Sequence, residues 1–441
     1  MPPQNASQWL RLNRCVLTCS LVAGSLAASF RPGLGETSQA NAVPNDVQTD
    51  AAKAATPRLP APSGTYGIGR LGYEWTDVTR PDGHSTDPQA HRDLMVYLWY
   101  PSSREIAGEA ALYLPGAREM NADPIVQPLT RGEFEAAWPL IVSGNIRPNA
   151  IENAAVARSP RTFPVVLFSH GLGSTSFEYT ALIEDLVSHG YVVVAVEHTY
   201  TALAVSFPTG KIVPFRRDAI PADLSADERL KRMMASAGLE ISTGAGDLVF
   251  VLNRLTKMNE GDPQHSLLSG RLDLNHVAAM GHSAGGDFAT RACQLDKRIR
   301  ACISLDGAMA PASAFPEYPD GKRFQQPVLL LEVDHSGDRK PFTSAQYSDY
   351  LKEKETELSL CPIGSYDVIL KSPGLFHGSF SDYPLLAANG RVRETQTALH
   401  NLRLTQSYTL AFLDKCLKQA NEPLLDNGSR DGEAIVQSYG H

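Results

Sequence analysis

Gly281-His282-Ser283-Ala284-Gly285 sets a serine between glycines in a Gly-x-Ser-x-Gly pattern. Residues 276–280 before it (HVAAM) are a short apolar run, and residues 284–293 after it read as a helix. A sharp strand-to-helix turn lifts a serine hydroxyl clear of a sheet. The glycines fit because such a turn brings neighbouring backbones too close for a Cβ, and Gly286 suits the same crowding. A tight glycine turn with an idle serine is the bland alternative; the position between strand and helix favours a nucleophile. A serine hydroxyl alone is a weak nucleophile at neutral pH. It needs a base within hydrogen-bond reach and an acid that orients the base. The chemistry is then acyl transfer, with water as the final acceptor.

In chain order the acid and then the histidine should follow the serine. Four histidines do: His335, His377, His400 and His441. His377 follows the strand expected at residues 366–371 after a loop holding Pro373 and Gly374, where an imidazole can reach over the serine. His335 stands too close to the preceding strand to be the first choice, and His400 lies just before a final helix. Two acids compete. Asp306 ends the strand at 301–305, and Asp334 ends the next one, at 327–332. Geometry read from the sequence divides these evenly. The developing oxyanion needs backbone N–H donors. Ala284, after the nucleophile, supplies one. Leu172, in the loop Phe168-Ser169-His170-Gly171-Leu172-Gly173, supplies the other. His170 precedes the serine in the chain and reads as a brace for that loop.

The surrounding elements alternate. Strands are expected at 94–100, 165–168, 191–196, 276–280, 301–305, 327–332 and 366–371. Between them, Leu182, Ile183, Leu186 and Val187 form a helical face that Gly190 ends. Ile241, Ala245, Leu248, Leu252 and Leu255 form another, downstream of a capping box at Ser225 and Glu228. A last helix is expected at 402–417. Strands alternating with helices imply a mostly parallel central sheet with helices on both faces.

Residues 1–40 read as a secretory signal peptide: Arg11 and Arg14, then an apolar run at 15–30, then Ser38-Gln39-Ala40 as a cleavage site. Residues 41–63 read as a Pro/Ala-rich linker, 64–425 as one α/β domain with insertions near 105–161 and 200–245, and 426–441 as a loose tail. Export predicts a secreted or periplasmic protein without a transmembrane segment once the signal is removed. Four cysteines then remain, Cys293, Cys302, Cys361 and Cys416. They allow three full pairings, and buried free thiols are expected at Cys293 and Cys302. The chain has 441 residues and a formal net charge of −8, which disfavours a nucleic-acid partner because phosphate binding needs clustered Lys and Arg. Asp334-His335-Ser336-Gly337-Asp338 lacks a metal-ligand spacing and reads as a polar loop. Trp138-Pro139-Leu140-Ile141-Val142 reads as a buried cluster in preference to an interfacial patch.

Several of these segments together resemble the secreted platelet-activating factor acetylhydrolase family, also called lipoprotein-associated phospholipase. The similarity runs through residues 163–173, 186–198, 277–286 and 301–307, and through Leu375-Phe376-His377 with Phe380 and Asp382. It spans about 64–417 and is weakest across 105–161 and 200–275. The resemblance implies an α/β-hydrolase fold, the set Ser283, Asp306 and His377, and oxyanion donors at Leu172 and Ala284. It settles the acid as Asp306. It also implies calcium-independent hydrolysis of short or oxidised sn-2 acyl esters of phospholipids, possible at a lipid surface and needing no cofactor. One position departs: vertebrate members carry a bulky aromatic after the nucleophile, and here Ala284 is small. A broader lipase, esterase or polyester hydrolase of the same fold is therefore the alternative. A peptidase and a non-catalytic binding module are less favoured. A propeller-sized N-terminal domain is not expected from these residues, and the Ser, Asp and His set reads as complete.

Overall fold

Short runs of branched apolar residues become the middle of one sheet. The computed structural model describes residues 58–440 apart from 105–107, 131–135, 262–265, 308–323, 336–351, 427–431 and the single positions 86, 218, 222 and 353. The signal peptide expected at 1–40 and most of the expected linker lie outside the described residues. The strands are β1 (Gly67–Pro81), β2 (His91–Ser102), β3 (Ile151–Glu152), β4 (Phe163–Ser169), β5 (Val192–Glu197), the hairpin β6 (Ala204–Ser206) and β7 (Ile212–Pro214), β8 (Leu272–His282), β9 (Ile299–Leu305), β10 (Val328–Val333), β11 (Ser365–Leu370) and β12 (Ala434–Tyr439). The main sheet has the order β12-β11-β10-β9-β8-β4-β5-β2-β1-β3. Neighbours from β5 to β11 are parallel. Antiparallel strands flank them, β2 on β5 and β12 on β11.

Alternation along the strands divides the core in two. Val166 and Phe168 of β4 face one layer, with Leu182, Ile183 and Leu186 of a helix at Thr180–Ser188 and Phe412 of a helix at Val392–Lys418. Val165 and Leu167 face the other layer. There they meet the long helix Ala226–Asn259 and the post-serine helix Ala284–Leu295. Numbered along the chain, these four helices are α1 (180–188), α2 (226–259), α3 (284–295) and α4 (392–418). Strands covered on both faces need apolar residues at every position, which is why β5 reads Val-Val-Val-Ala-Val-Glu and is buried throughout. The capping box opens α2: the Ser225 hydroxyl accepts from Glu228 N, and the Glu228 carboxylate accepts from Ser225 N. By length and composition residues 227–259 of α2 could cross a membrane. The apolar face at Ile241, Ala245, Leu248, Leu252 and Leu255 is instead packed into the core.

The chain passes from β4 to β5 on one side, then crosses to β8 on the other side of β4. The crevice beyond the carboxyl ends of β4 and β8 is thus a topological switch point, where open α/β sheets bind ligands. Short helices at Ala117–Ala122, Val126–Leu129 and Trp138–Ser143 lie within the 105–161 insertion. Trp138 and Ile141 are buried, and Trp138 Nε1 donates to Asn121 Oδ1 at 2.9 Å.

Three expectations need correction. The tail at 426–441 is not loose throughout, because Ala434–Tyr439 pairs antiparallel with β11; backbone pairing at a sheet edge holds a segment whose side chains carry little signal. Within the expected linker, Leu59 is buried and Ser63 N donates to Asp185 Oδ1 at 2.7 Å, so order begins before Gly64. Cys293 and Cys302 are not free thiols. They form a disulfide with Cα atoms 6.4 Å apart, because the turn after α3 lays β9 back against the helix, within bridging range. Cys361 and Cys416 are free.

Candidate active site

Ser283 sits where β8 becomes α3, at φ 54° and ψ −126°. A non-glycine residue held at positive φ is strained, and such positions gather at functional sites. The flanking glycines have a steric cause. A Cβ on Gly281 would lie 2.1 Å from the carbonyl oxygen of Gly285. One on Gly285 would lie 2.4 Å from the carbonyl oxygens of both Ser169 and His170. The start of α3 therefore crosses directly over the end of β4, which draws the 170–173 loop to the serine. A Cβ on Gly171 would stand 3.5 Å from that of Ser283.

The strand after the elbow leads into the acid expected from the sequence. Asp306 follows β9 at φ 49°, and its side chain is 1% exposed. His377 Nδ1 donates to Asp306 Oδ2 at 2.7 Å. His335 Nε2 lies 2.9 Å from Oδ1 and 3.1 Å from Oδ2, and Val333 N donates to Oδ1 at 3.1 Å. Burial by itself would raise this carboxyl. The hydrogen bonds and charge of His335 and His377 outweigh it and hold Asp306 well below the usual carboxylate range. Since Nδ1 of His377 is the donor, its Nε2 is left as the acceptor of a proton.

His377 opens a turn at His377–Phe380. Its ring centroid lies 4.6 Å from that of His282, the residue before the serine. His282 Nε2 donates to the carbonyl oxygen of His377 at 2.9 Å, and its Nδ1 accepts from the Tyr179 hydroxyl at 2.8 Å. Burial and the neighbouring His377 push the His282 pKa down to about 3, so it is neutral.

The two expected oxyanion donors come from two different elements. Ala284 is the first residue of α3, at the positive end of the helix dipole. Leu172 lies in the loop after β4. Neither amide has an acceptor among the described residues. His170 braces this loop: Nδ1 donates to the carbonyl oxygen of Gly171 at 2.7 Å, and Nε2 accepts from His198 N at 3.2 Å. Below it runs a second Ser, His and Asp string. Ser169 Oγ donates to His198 Nε2 at 2.9 Å, and His198 Nδ1 donates to Asp247 Oδ2 at 2.8 Å. Arg92 and Arg80 complete the pairing of Asp247. Ser169 and His198 have no solvent exposure, so this string offers no substrate access and serves as a brace.

Of the sequence-predicted residues, Asp306 and His377 are bonded to each other, and His377 lies against His282, the chain neighbour of Ser283. Asp334, the rival acid, stands apart, with Lys371 Nζ at 3.9 Å from its carboxylate. His400 pairs with Glu433 and is likewise outside the site. Sequence reasoning missed the contact of His335 with Asp306 and the buried Ser169, His198 and Asp247 string. The adjacency of Glu197-His198 to the end of a central strand was the one available signal for the latter. Among the described residues, no group of three or more His, Cys, Asp or Glu is arranged to hold a metal ion.

A profile of the family described as "Platelet-activating factor acetylhydrolase, isoform II" matches residues 51–433. The chain belongs to this platelet-activating factor acetylhydrolase family. It is similar to the platelet-activating factor acetylhydrolase of Cavia porcellus, 27% identical over 385 residues, covering 76% of this chain and 79% of that one. A "Probable 1-alkyl-2-acetylglycerophosphocholine esterase" of Arthroderma benhamiae is 25% identical over 356 residues, with the same coverage of 76% and 79%. Among solved structures, a ferulic acid esterase from Streptomyces cinnamoneus superposes with a TM-score of 0.63 at 29% identity. The match covers 87% of this chain and 100% of that one. The fold is that of the α/β-hydrolases, and this family member is an ester-hydrolysing enzyme.

Proposed function

We propose that the protein hydrolyses short or oxidised sn-2 acyl esters of phospholipids through an acyl-enzyme on Ser283. The observation that carries the acyl-enzyme is the Asp306 and His377 pair close to a serine held at a strained strand-to-helix turn, and family membership supports the phospholipid ester. His377 Nε2 takes the Ser283 proton as Oγ attacks the ester carbonyl. Asp306 fixes the imidazole tautomer and stabilises its positive charge. The Leu172 and Ala284 amides bind the oxyanion. His377 then protonates the departing lysophospholipid oxygen. It next activates a water that cleaves the acyl-enzyme and restores the serine. The chemistry draws on these side chains and amides and calls for no cofactor.

Residues 1–40 and the Cys293–Cys302 disulfide support secretion or a periplasmic location, since disulfides persist in oxidising compartments.

A second reading, a broader lipase, esterase or polyester hydrolase, is favoured by small Ala284 and by the similarity to a ferulic acid esterase along all of that chain. The two separate on phosphatidylcholines of graded sn-2 chain length, assayed without calcium against Ser283→Ala as blank. Steep preference for acetyl over long chains supports the phospholipid reading. A flat profile, or activity on simple esters alone, moves the function to the broader esterase.

A further inference from the structure

The carboxylate of Asp306 has two imidazole partners, and the mechanism above uses one. We propose that His335 is a positioning residue for this acid: it clamps the carboxylate in the one orientation that leaves Oδ2 to His377. The inference rests on the reading of Ser283 and His377 given above.

The register of the sheet produces the clamp. Strands β9 and β10 run parallel, with Leu305 level with Leu331. Asp306 N donates to the Leu331 carbonyl oxygen at 2.8 Å, extending the ladder one residue past β9. This sets the carboxylate beside the last residue of β10, where Val333 N donates to Oδ1 at 3.1 Å. Two residues on, the chain turns, and the ring of His335 comes over the same carboxylate, 2.9 Å from Oδ1. Oδ1 thus has a backbone donor and the His335 donor. Oδ2 takes the 2.7 Å bond from His377 and a longer one, 3.1 Å, from His335.

A carboxylate has about four acceptor sites. Here three donors hold it, and His335 is the one that touches both oxygens. Without it, Oδ1 keeps one backbone amide and Oδ2 keeps His377 alone, so less opposes rotation about the Cβ–Cγ bond. The His335 side chain is 32% exposed while that of Asp306 is 1% exposed. The imidazole is therefore also the cover between the carboxylate and solvent. Keeping water from that carboxylate strengthens its hydrogen bond to His377.

The geometry leaves a contrary assignment to test, since either imidazole could be the one that serves Ser283. The full-length protein and four variants, His335→Ala, His335→Gln, His377→Ala and Ser283→Ala, are compared on p-nitrophenyl acetate, with thermal melting of each. His335→Ala is expected to lower kcat about tenfold to hundredfold, with KM within about twofold and the melting temperature little changed. His335→Gln should recover most of kcat, because its amide N–H reaches the same carboxylate. A kcat for His335→Ala within twofold of wild type overturns the proposal. So does a loss that Gln does not rescue and that comes with a lowered melting temperature. So does a complete loss in His335→Ala while His377→Ala stays active, which would make His335 the base. If Ser283→Ala keeps the wild-type rate, the proposed function itself fails, an outcome distinct from all of these.

Discussion

His282 Nε2 lies 2.9 Å from the backbone carbonyl oxygen of His377. The residue that precedes Ser283 therefore holds the main chain of the residue proposed as its base. Tyr179 fixes the direction of this bond: its hydroxyl donates to His282 Nδ1 at 2.8 Å, so Nε2 must carry the proton. The elbow and the histidine loop are one hydrogen-bonded unit. His282→Ala should lower kcat about tenfold to hundredfold with Ser283, Asp306 and His377 all in place. Steady-state kinetics on a short-chain ester checks this, and a wild-type kcat would refute the coupling.

Crowding at the elbow makes a separate prediction about folding. A methyl at Gly285 would press on two backbone carbonyls of the 169–170 segment, neither of which can move without shifting the 170–173 loop. Gly285→Ala should destabilise the protein by about 1–3 kcal/mol or more, as overpacking does, and should reduce activity beyond what stability explains. Gly83→Ala is the control, since nothing stands within 4 Å of its added methyl. Equal melting temperatures for the two variants would show that the close approach is absent.

A buried carboxyl elsewhere on the C-terminal side of the sheet gives a pH signature. Burial pushes Glu197 up to about 7, against the opposing hydrogen bonds from Ser176. The unfolded chain releases this proton near the ordinary glutamate value, about 4.3. Between about 4.3 and 7 the folded form therefore binds more protons, and stability falls as pH rises through that window. Glu197→Gln removes the titration and keeps an acceptor for Ser176. Its melting temperature should exceed that of wild type at pH 8 and come close to it at pH 4, below the unfolded value. An offset that is the same at both values would contradict the assignment.

The expected strands and helices, and the turn at Ser283, were legible because each rests on local pattern. Apolar runs mark strands buried on both faces, and Ser225 with Glu228 marks the start of α2. Chain order and loop position pointed to His377 in the same way. What was not legible depends on pairing between distant segments. His335 meets Asp306 only because β9 and β10 are adjacent and in a particular register, which no periodicity encodes. Cys293 and Cys302 looked like two packed small hydrophobes until the turn after α3 brought them within bridging distance. The strand at 434–439 is held by the edge of β11 more than by its own side chains. The choice between Asp306 and Asp334 stood even on the residues alone. Family resemblance favoured Asp306, and the structure places that residue, not Asp334, against His377.

In the proposed mechanism Ser283 is the acyl-accepting nucleophile, served by His377 and Asp306. The most direct measurement is stoichiometric labelling with an organophosphonate, the adduct located by peptide mass spectrometry and activity followed in parallel. One label per chain on Ser283 is expected, with activity lost in step. Folded Ser283→Ala should be neither labelled nor active under this mechanism, and Asp306→Asn should lower kcat by about 10³–10⁴-fold. A label at another residue, or a folded Ser283→Ala protein that keeps its esterase rate, would contradict it.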